Sequence, residues 1–288
     1  MGDDLVGLYW TTSGPVEVHA GREWSLFDLR DRCEHAARVG YRGLGIWHAD
    51  LEHILETRTL GEVKALLDEH DLPHLELECL LDWWMEPGEE RQASDERREL
   101  LFEAAAALGA HHIKCANIFG RPCELPRLQE EFAALCAEAT ERHDALMVYE
   151  FMPFDVNVHD VETALAVVGD IPNAGVAIDT WHLGKLGIDA DTLRAIPAGR
   201  VGWAELSDGR YENLPDLVDE VVNHRRLPGE GEFPIPEYVA ALRDQRYDGP
   251  WGVEVLSEEL RNLPIAEIFD RSYETASAQL ALERSPSA

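Results

Sequence analysis

The chain has 288 residues, 45% of them hydrophobic, which is enough to fill a large core and suits one (β/α)8 barrel or two smaller domains. Its 56 acidic against 25 basic side chains leave a formal net charge of -31, which phosphate backbones and anionic lipid surfaces repel, so nucleic-acid and membrane partners are set aside. The five cysteines are odd in number and lack a Cys-x-x-Cys pair, Met1-Gly2-Asp3-Asp4 is acidic where a signal peptide is basic, and no apolar run nears the ~18 residues that span a bilayer; the expectation is a cytoplasmic protein with reduced, packing cysteines.

In chain order, short apolar runs alternate with amphipathic stretches. The first unit is a strand over 5–10 and a helix over 25–40, with Ser25 as N-cap and Gly40 as stop. The second is a strand over 41–48 and a helix over 60–71. A strand over 73–84 precedes a helix over 94–109 that opens Ser94-Asp95-Glu96-Arg97, a cap with acids in the first turn where the helix dipole favours them. Strands over 111–117 and 145–153 lead to helices over 125–142 and 161–168. The sixth and seventh strands, 176–182 and 201–208, precede helices over 190–196 and 214–222, and a further short helix covers 236–245. The eighth strand spans 250–256, and a helix over 265–282 closes the series. Eight strands, each followed by a helix, at a spacing of about 35 residues specify one α/β domain, a (β/α)8 TIM barrel over 1–284, with a disordered tail over 285–288.

Four of these strands deliver a carboxylate at or near the carboxyl end, where such barrels keep their chemistry. They read Met147-Val148-Tyr149-Glu150, Val176-Ala177-Ile178-Asp179-Thr180-Trp181-His182, Val201-Gly202-Trp203-Ala204-Glu205-Leu206-Ser207-Asp208 and Trp251-Gly252-Val253-Glu254-Val255. One acid at a strand end is commonly a helix cap or a solvated loop residue. Four at consecutive strand tips call for a shared purpose.

With these motifs the chain resembles the xylose-isomerase-like sugar isomerases and epimerases, whose relatives include inosose isomerases and dehydratases, hydroxypyruvate isomerases and ketose 3-epimerases. The resemblance covers nearly the whole chain and rests on Tyr-Glu-Phe at 149–151, Ile-Asp-Thr-Trp-His at 178–182, Leu-Ser-Asp-Gly at 206–209, Arg-Arg-Leu-Pro-Gly-Glu-Gly at 225–231 and Val-Glu-Val at 253–255. It implies a single divalent ion at the barrel top, held by Glu150, Asp179, Glu254 and a residue of the seventh strand. That seventh-strand residue is Glu205, where many relatives carry His. Four carboxylates around one divalent ion leave excess negative charge, so one stays protonated, one acts through water, or a cation sits close by. An all-oxygen shell favours Mn2+ or Mg2+ over Zn2+.

The same resemblance makes Glu150 and Glu254 a paired acid and base that remove and return a proton beside a carbonyl through a metal-stabilised enediolate. His182 matches a position that hydrogen-bonds a substrate oxygen, and Arg225 matches an arginine that neutralises the enediolate, with Arg226 as its competitor. Lys114, near the end of the fourth strand, either contacts substrate or balances the surplus carboxylates. His48, Glu78 and Asn117 also fall near strand ends. Trp10, Trp47, Trp83, Trp84, Trp181 and Trp203 share one level of the barrel, and two or three of these six are expected to face a sugar ring or an apolar aglycone.

The leading expectation is therefore a metal-dependent isomerase or epimerase of a keto sugar or cyclitol, a small-molecule enzyme that forms homo-oligomers as its relatives often do. The alternative is a lyase or dehydratase of the same family, eliminating from a keto-inositol, a dehydroshikimate or a 3-keto-glycoside. A non-catalytic metal- or sugar-binding protein ranks below both. Endonuclease IV shares the fold but needs a His-rich three-metal cluster and a basic track, and neither is present in the sequence.

Overall fold

Strands covered on both faces read as nearly continuous apolar runs, and the runs seen in the sequence pair as that rule requires. In a computed structural model, which describes residues 3–18 and 21–282, eight parallel strands close into a barrel in sequence order. They are β1 Leu5–Gly7, β2 Gly43–Trp47, β3 His74–Leu80, β4 His112–Ala116, β5 Leu146–Glu150, β6 Ala174–Asp179, β7 Val201–Leu206 and β8 Trp251–Val253. The expected tail over 285–288 lies outside the described residues. No described helix is long and apolar enough to cross a membrane.

Alternation along each strand divides the side chains into two sets. Met147, Tyr149, Val176, Ile178 and Val253 join the large cluster shared with the surrounding helices. Val6, Leu8, Val148, Ala177 and Trp203 form a separate buried plug inside the barrel. Glycine is required where β6 meets β7: a Cβ on Gly175 would sit 2.7 Å from the Gly202 nitrogen, and one on Gly202 would sit 2.8 Å from Val148 Cγ1. Between the first and last strands, Thr11 Oγ1 donates to the Val253 carbonyl at 2.7 Å and accepts from the Val255 amide at 2.7 Å, stitching the seam beside the β1–β8 pairing.

The helices over Leu125–Arg142, Val161–Val168 and Ile265–Leu282 match their predicted spans. Others differ for local reasons. Asp28, not Ser25, caps the helix Leu29–Val39; Ser25 is drawn away, its amide donating to Asp50 and its hydroxyl to the Ser13 carbonyl. The helix Glu89–Leu108 begins after Gly88, so Ser94 lies inside it. Glu89 and Glu90 supply the acids of its first turn. Four short helices, Tyr9–Thr12, His48–Leu55, Thr180–Leu186 and Glu258–Arg261, follow their strands too closely for periodicity to reveal. One consequence touches the site: Trp181 and His182 stand on a helix whose N-cap is Asp179, not on β6.

Candidate active site

Parallel strands send all their carboxyl ends to one face, and register decides which side chains meet there. Asp179 pairs with Glu205, and Glu205 with Gly252, across β6, β7 and β8. Glu150 ends β5, and Glu254 follows β8 directly. As a result Glu150, Asp179, Glu205 and Glu254 each offer a carboxylate oxygen within 4.8 Å of the others, all four buried. Glu150 and Asp179 make a second such group with His182.

Lys114 is the cation that this cluster requires. Its ammonium, 1% exposed, lies 2.7 Å from Glu205, 2.8 Å from Glu254, 3.3 Å from Glu78, 3.5 Å from Glu76 and 3.8 Å from Glu150. Arg225 is the second cation, its Nη1 donating to Asp179 at 2.7 Å and to Glu254 at 3.0 Å. The guanidinium rests over the Trp181 ring, 4.9 Å from its centroid. Arg226 instead reaches the Glu230 carbonyl and lies outside the cluster.

The environment moves the carboxylates in different directions. Burial opposes the Glu150 anion, yet Lys114 and then His182 hold its pKa down to about 2. Burial, with Lys114 opposing, pushes Glu254 above the ordinary carboxylate range. Glu205 rises well above it through burial and the charge of Glu254, and Glu78 does so through burial. Glu76 goes the other way: Lys114, then His112 at 2.9 Å, overcome its burial and lower it. Six carboxylates, Glu76, Glu78, Glu150, Asp179, Glu205 and Glu254, thus face two fixed cations, an excess of acidic groups that suits a divalent ion.

These residues fit such an ion. Glu150 Oε1 and Glu205 Oε2 are buried without a hydrogen-bond partner, as is His182 Nδ1. Glu150 Oε1 does face His182 Nε2 at 3.2 Å, but too poorly aligned to make a full hydrogen bond. Glu205 Oε1 is held by Lys114 and by Trp203 Nε1 at 2.8 Å, which leaves its Oε2 for an ion.

A cavity of about 240 Å³ opens above this floor. Glu150, Glu254, His182, Arg225, Lys114, Trp10 and Trp47 all line it. Asp179 and Glu205 lie deeper, and His48 starts its helix beside Trp47 and does not line the cavity. Of the other tryptophans, Trp203 lies below the site on the ring of His112, Trp83 and Trp84 pack together against the helices, and Trp181 backs Arg225. Asn117 shapes the loop after β4 by bonding Asp155 and the Arg121 backbone. Two contributors, Glu76 and His112, are not among the residues expected from the sequence, and a third, Asp208, is read there only as part of its strand-end run and motif. Glu76 of β3 and His112 of β4 form a buried pair beneath Lys114. Asp208 accepts from the amides of Gly209, Gly229, Gly231 and Phe233, so it ties β7 to the loop that follows Arg225.

A parallel eight-stranded barrel with four buried carboxylates gathered at its carboxyl face defines a TIM-barrel protein with a candidate site where such barrels keep their chemistry. The model of the xylose isomerase-like TIM barrel matches residues 33–278, and the chain belongs to that family. Its curated relatives include a 3-dehydroshikimate dehydratase of Pseudomonas aeruginosa, 23% identical over 239 residues, which are 82% of this chain and 37% of that protein. The chain thus spans little over a third of the length of that relative. An inosose isomerase of Bacillus velezensis is 21% identical over 262 residues, 87% of this chain and 91% of the relative. Among solved structures, the IOLI protein with a bound zinc atom superposes with a TM-score of 0.80 at 16% identity, covering 98% of this chain and 99% of that one. The relatives are enzymes of the isomerase, epimerase and dehydratase kind.

Proposed function

We propose that this chain is a divalent-metal-dependent isomerase or epimerase of a keto sugar or cyclitol, acting by removal of a proton from the carbon beside a carbonyl. The observation that carries this reading is the pair Glu150 and Glu254. Both line the same cavity from β5 and the end of β8, and their surroundings push their proton affinities apart. Two glutamates facing one cavity from different strands suit the roles of base and acid.

Glu150, Asp179 and Glu254 would hold the ion, and their hard oxygen donors favour Mn2+ or Mg2+ over Zn2+. When bound, the ion supplies an electrophile that polarises a carbonyl and acidifies the neighbouring C–H. Glu150, anionic and the less tightly hydrogen-bonded of the two glutamates, takes the proton. Arg225 and Lys114 set fixed positive charge beside the oxygen on which negative charge develops. His182, with Nε2 toward Glu150 and Asp179, orients a substrate hydroxyl. Glu254 returns a proton from across the cavity, giving inversion; return by Glu150 to the adjoining carbon gives aldose–ketose exchange.

A turned-over keto sugar or cyclitol in D2O should gain deuterium at the carbon next to the carbonyl. Glu150→Gln and Glu254→Gln should each lower turnover by ~10²-fold or more. Near-normal rates in both variants with the ion still bound, or product without loss of the α-proton, would defeat the proposal. The dehydratase relatives favour a second reading, elimination after the same proton removal. Its mark is an unsaturated product absorbing in the near ultraviolet.

A further inference from the structure

We infer that the outer half of the cavity is a subsite for an apolar, aromatic-sized substituent, so that the substrate is a polyol ring carrying such a group. The inference rests on the enolisation reading for the cavity floor and concerns what lies above it.

The polar side chains that line the cavity, Glu78, Lys114, Glu150, His182, Arg225 and Glu254, are all buried and make up its floor, whereas its exposed lining side chains, Phe119 and Val218, are apolar. The remaining lining side chains are apolar and, Cys79 of β3 apart, they come from the segments after β1, β4, β5 and β8, from the end of β2 and from the helix Leu217–Asn223. A sugar stacked on one aromatic face keeps its edge hydroxyls free to reach polar partners. Enclosure by apolar walls from several directions offers those hydroxyls no partner, and burying them there is penalised. A polyol therefore fits the floor, and an apolar group fits the space above it.

The helix Leu217–Asn223 shows how this wall is maintained. Asp216 caps it by accepting from the amides of Val218 and Asp219. Glu220 turns away to Lys185 and the Leu214 amide, while Asp219 engages Asn223 and His224. With its polar side chains engaged elsewhere, the helix presents Leu217, Val218, Val221 and Val222 to the cavity. Val218 is 67% exposed and Phe119, across the mouth, is 52% exposed, although both line the cavity. Two such residues at the rim of a charged floor are what an amphiphilic ligand covers.

The test uses the Mn2+-loaded protein with matched phenyl and methyl glycosides of glucose, galactose and xylose, and the corresponding ethers of myo-inositol. Calorimetry and saturation-transfer NMR read the binding. The phenyl member of at least one pair should bind about tenfold tighter or more, with the aryl protons receiving the strongest saturation. Val218→Asp should abolish that preference, and Leu26→Asp, at a site 63% exposed and outside the cavity, should leave it. Absence of a phenyl preference in every pair, or a preference that survives Val218→Asp, overturns the subsite. So does a dimer that Val218→Asp dissociates in a protein with no phenyl preference, which assigns the patch to a second copy of the chain. A phenyl preference without exchange of an α-proton keeps the subsite and removes the enolisation reading; exchange without the preference does the reverse.

Discussion

Glu205 departs from the histidine that the family resemblance leads one to expect on the seventh strand, and its surroundings show what holds a carboxylate there. Its Oε1 is held by Lys114 and Trp203, and burial with the charge of Glu254 pushes its pKa well above the ordinary carboxylate range. Asp179→Asn and Glu254→Gln should weaken Mn2+ binding by ~10²-fold or more, and Glu205→Gln by under about tenfold, since the family resemblance assigns the ion to the first two positions and is departed from at the third. Titration calorimetry with Mn2+ reads all three, and tight stoichiometric binding by Asp179→Asn would remove the assigned site. At this scale the strand-tip acids were legible, as were Lys114 and Arg225, because a charge set at the end of a short apolar run marks the point where a buried strand reaches the barrel mouth. His48 follows β2 as the tip residues follow their strands, but it opens a helix and is not among the residues that line the cavity. Glu76 and His112 were illegible because they lie within strands, where inward and outward positions look alike until the barrel closes.

At the scale of elements, the segment carrying Arg225 is positioned by β7 through one side chain. Asp208 accepts four backbone amides, and its own backbone bridges that of Arg226. Asp208→Asn keeps the shape but turns an N–H group toward N–H donors, so the loop after Arg225 loses its anchor. We expect turnover to fall ~10²-fold, the scale of a misplaced orienting group, with Mn2+ affinity nearly unchanged and stability lower by about 1–3 kcal/mol. Steady-state rates, calorimetry and melting together test this; full activity in a destabilised variant would show that Arg225 is fixed by its carboxylates alone. The two motifs at 206–209 and 225–231 were visible separately in the sequence. Their coupling was not, because the partners of Asp208 are main-chain groups that every residue except proline possesses.

For the whole molecule, the barrel was readable from the alternation of runs and from their number. Strand ends were less so, because short helices start immediately where β1, β2 and β6 finish. Beneath the site, His111 and His112 meet through their Nδ1 atoms at 3.1 Å. Burial, reinforced by the neighbouring imidazole, lowers His111 to about 3, and burial lowers His112 despite Glu76. An unfolded chain binds these protons near 6.5 while the folded one refuses them. Folded pKa values below the unfolded ones place the full stability above about pH 6.5 and drain it as pH falls toward the folded values, by up to about 1.4 kcal/mol per pH unit for each imidazole. Between pH 6.5 and 5, His111→Gln should flatten the wild-type slope of unfolding free energy by close to one proton in denaturant titrations. Parallel slopes for the two proteins would mean that His111 is protonated in the fold.

The stitch that Thr11 makes with Val253 and Val255 holds the last strand to the first. A ribosome delivers Glu150, Asp179 and Glu205 well before Glu254, and Glu254 comes beside Glu205 only once β8 has paired with β7. If these carboxylates hold a divalent ion as proposed, capture at full affinity follows the docking of β8, and stopped-flow refolding followed by an ion-sensitive dye would report the arrival of that strand, separately from the helix formation that circular dichroism records.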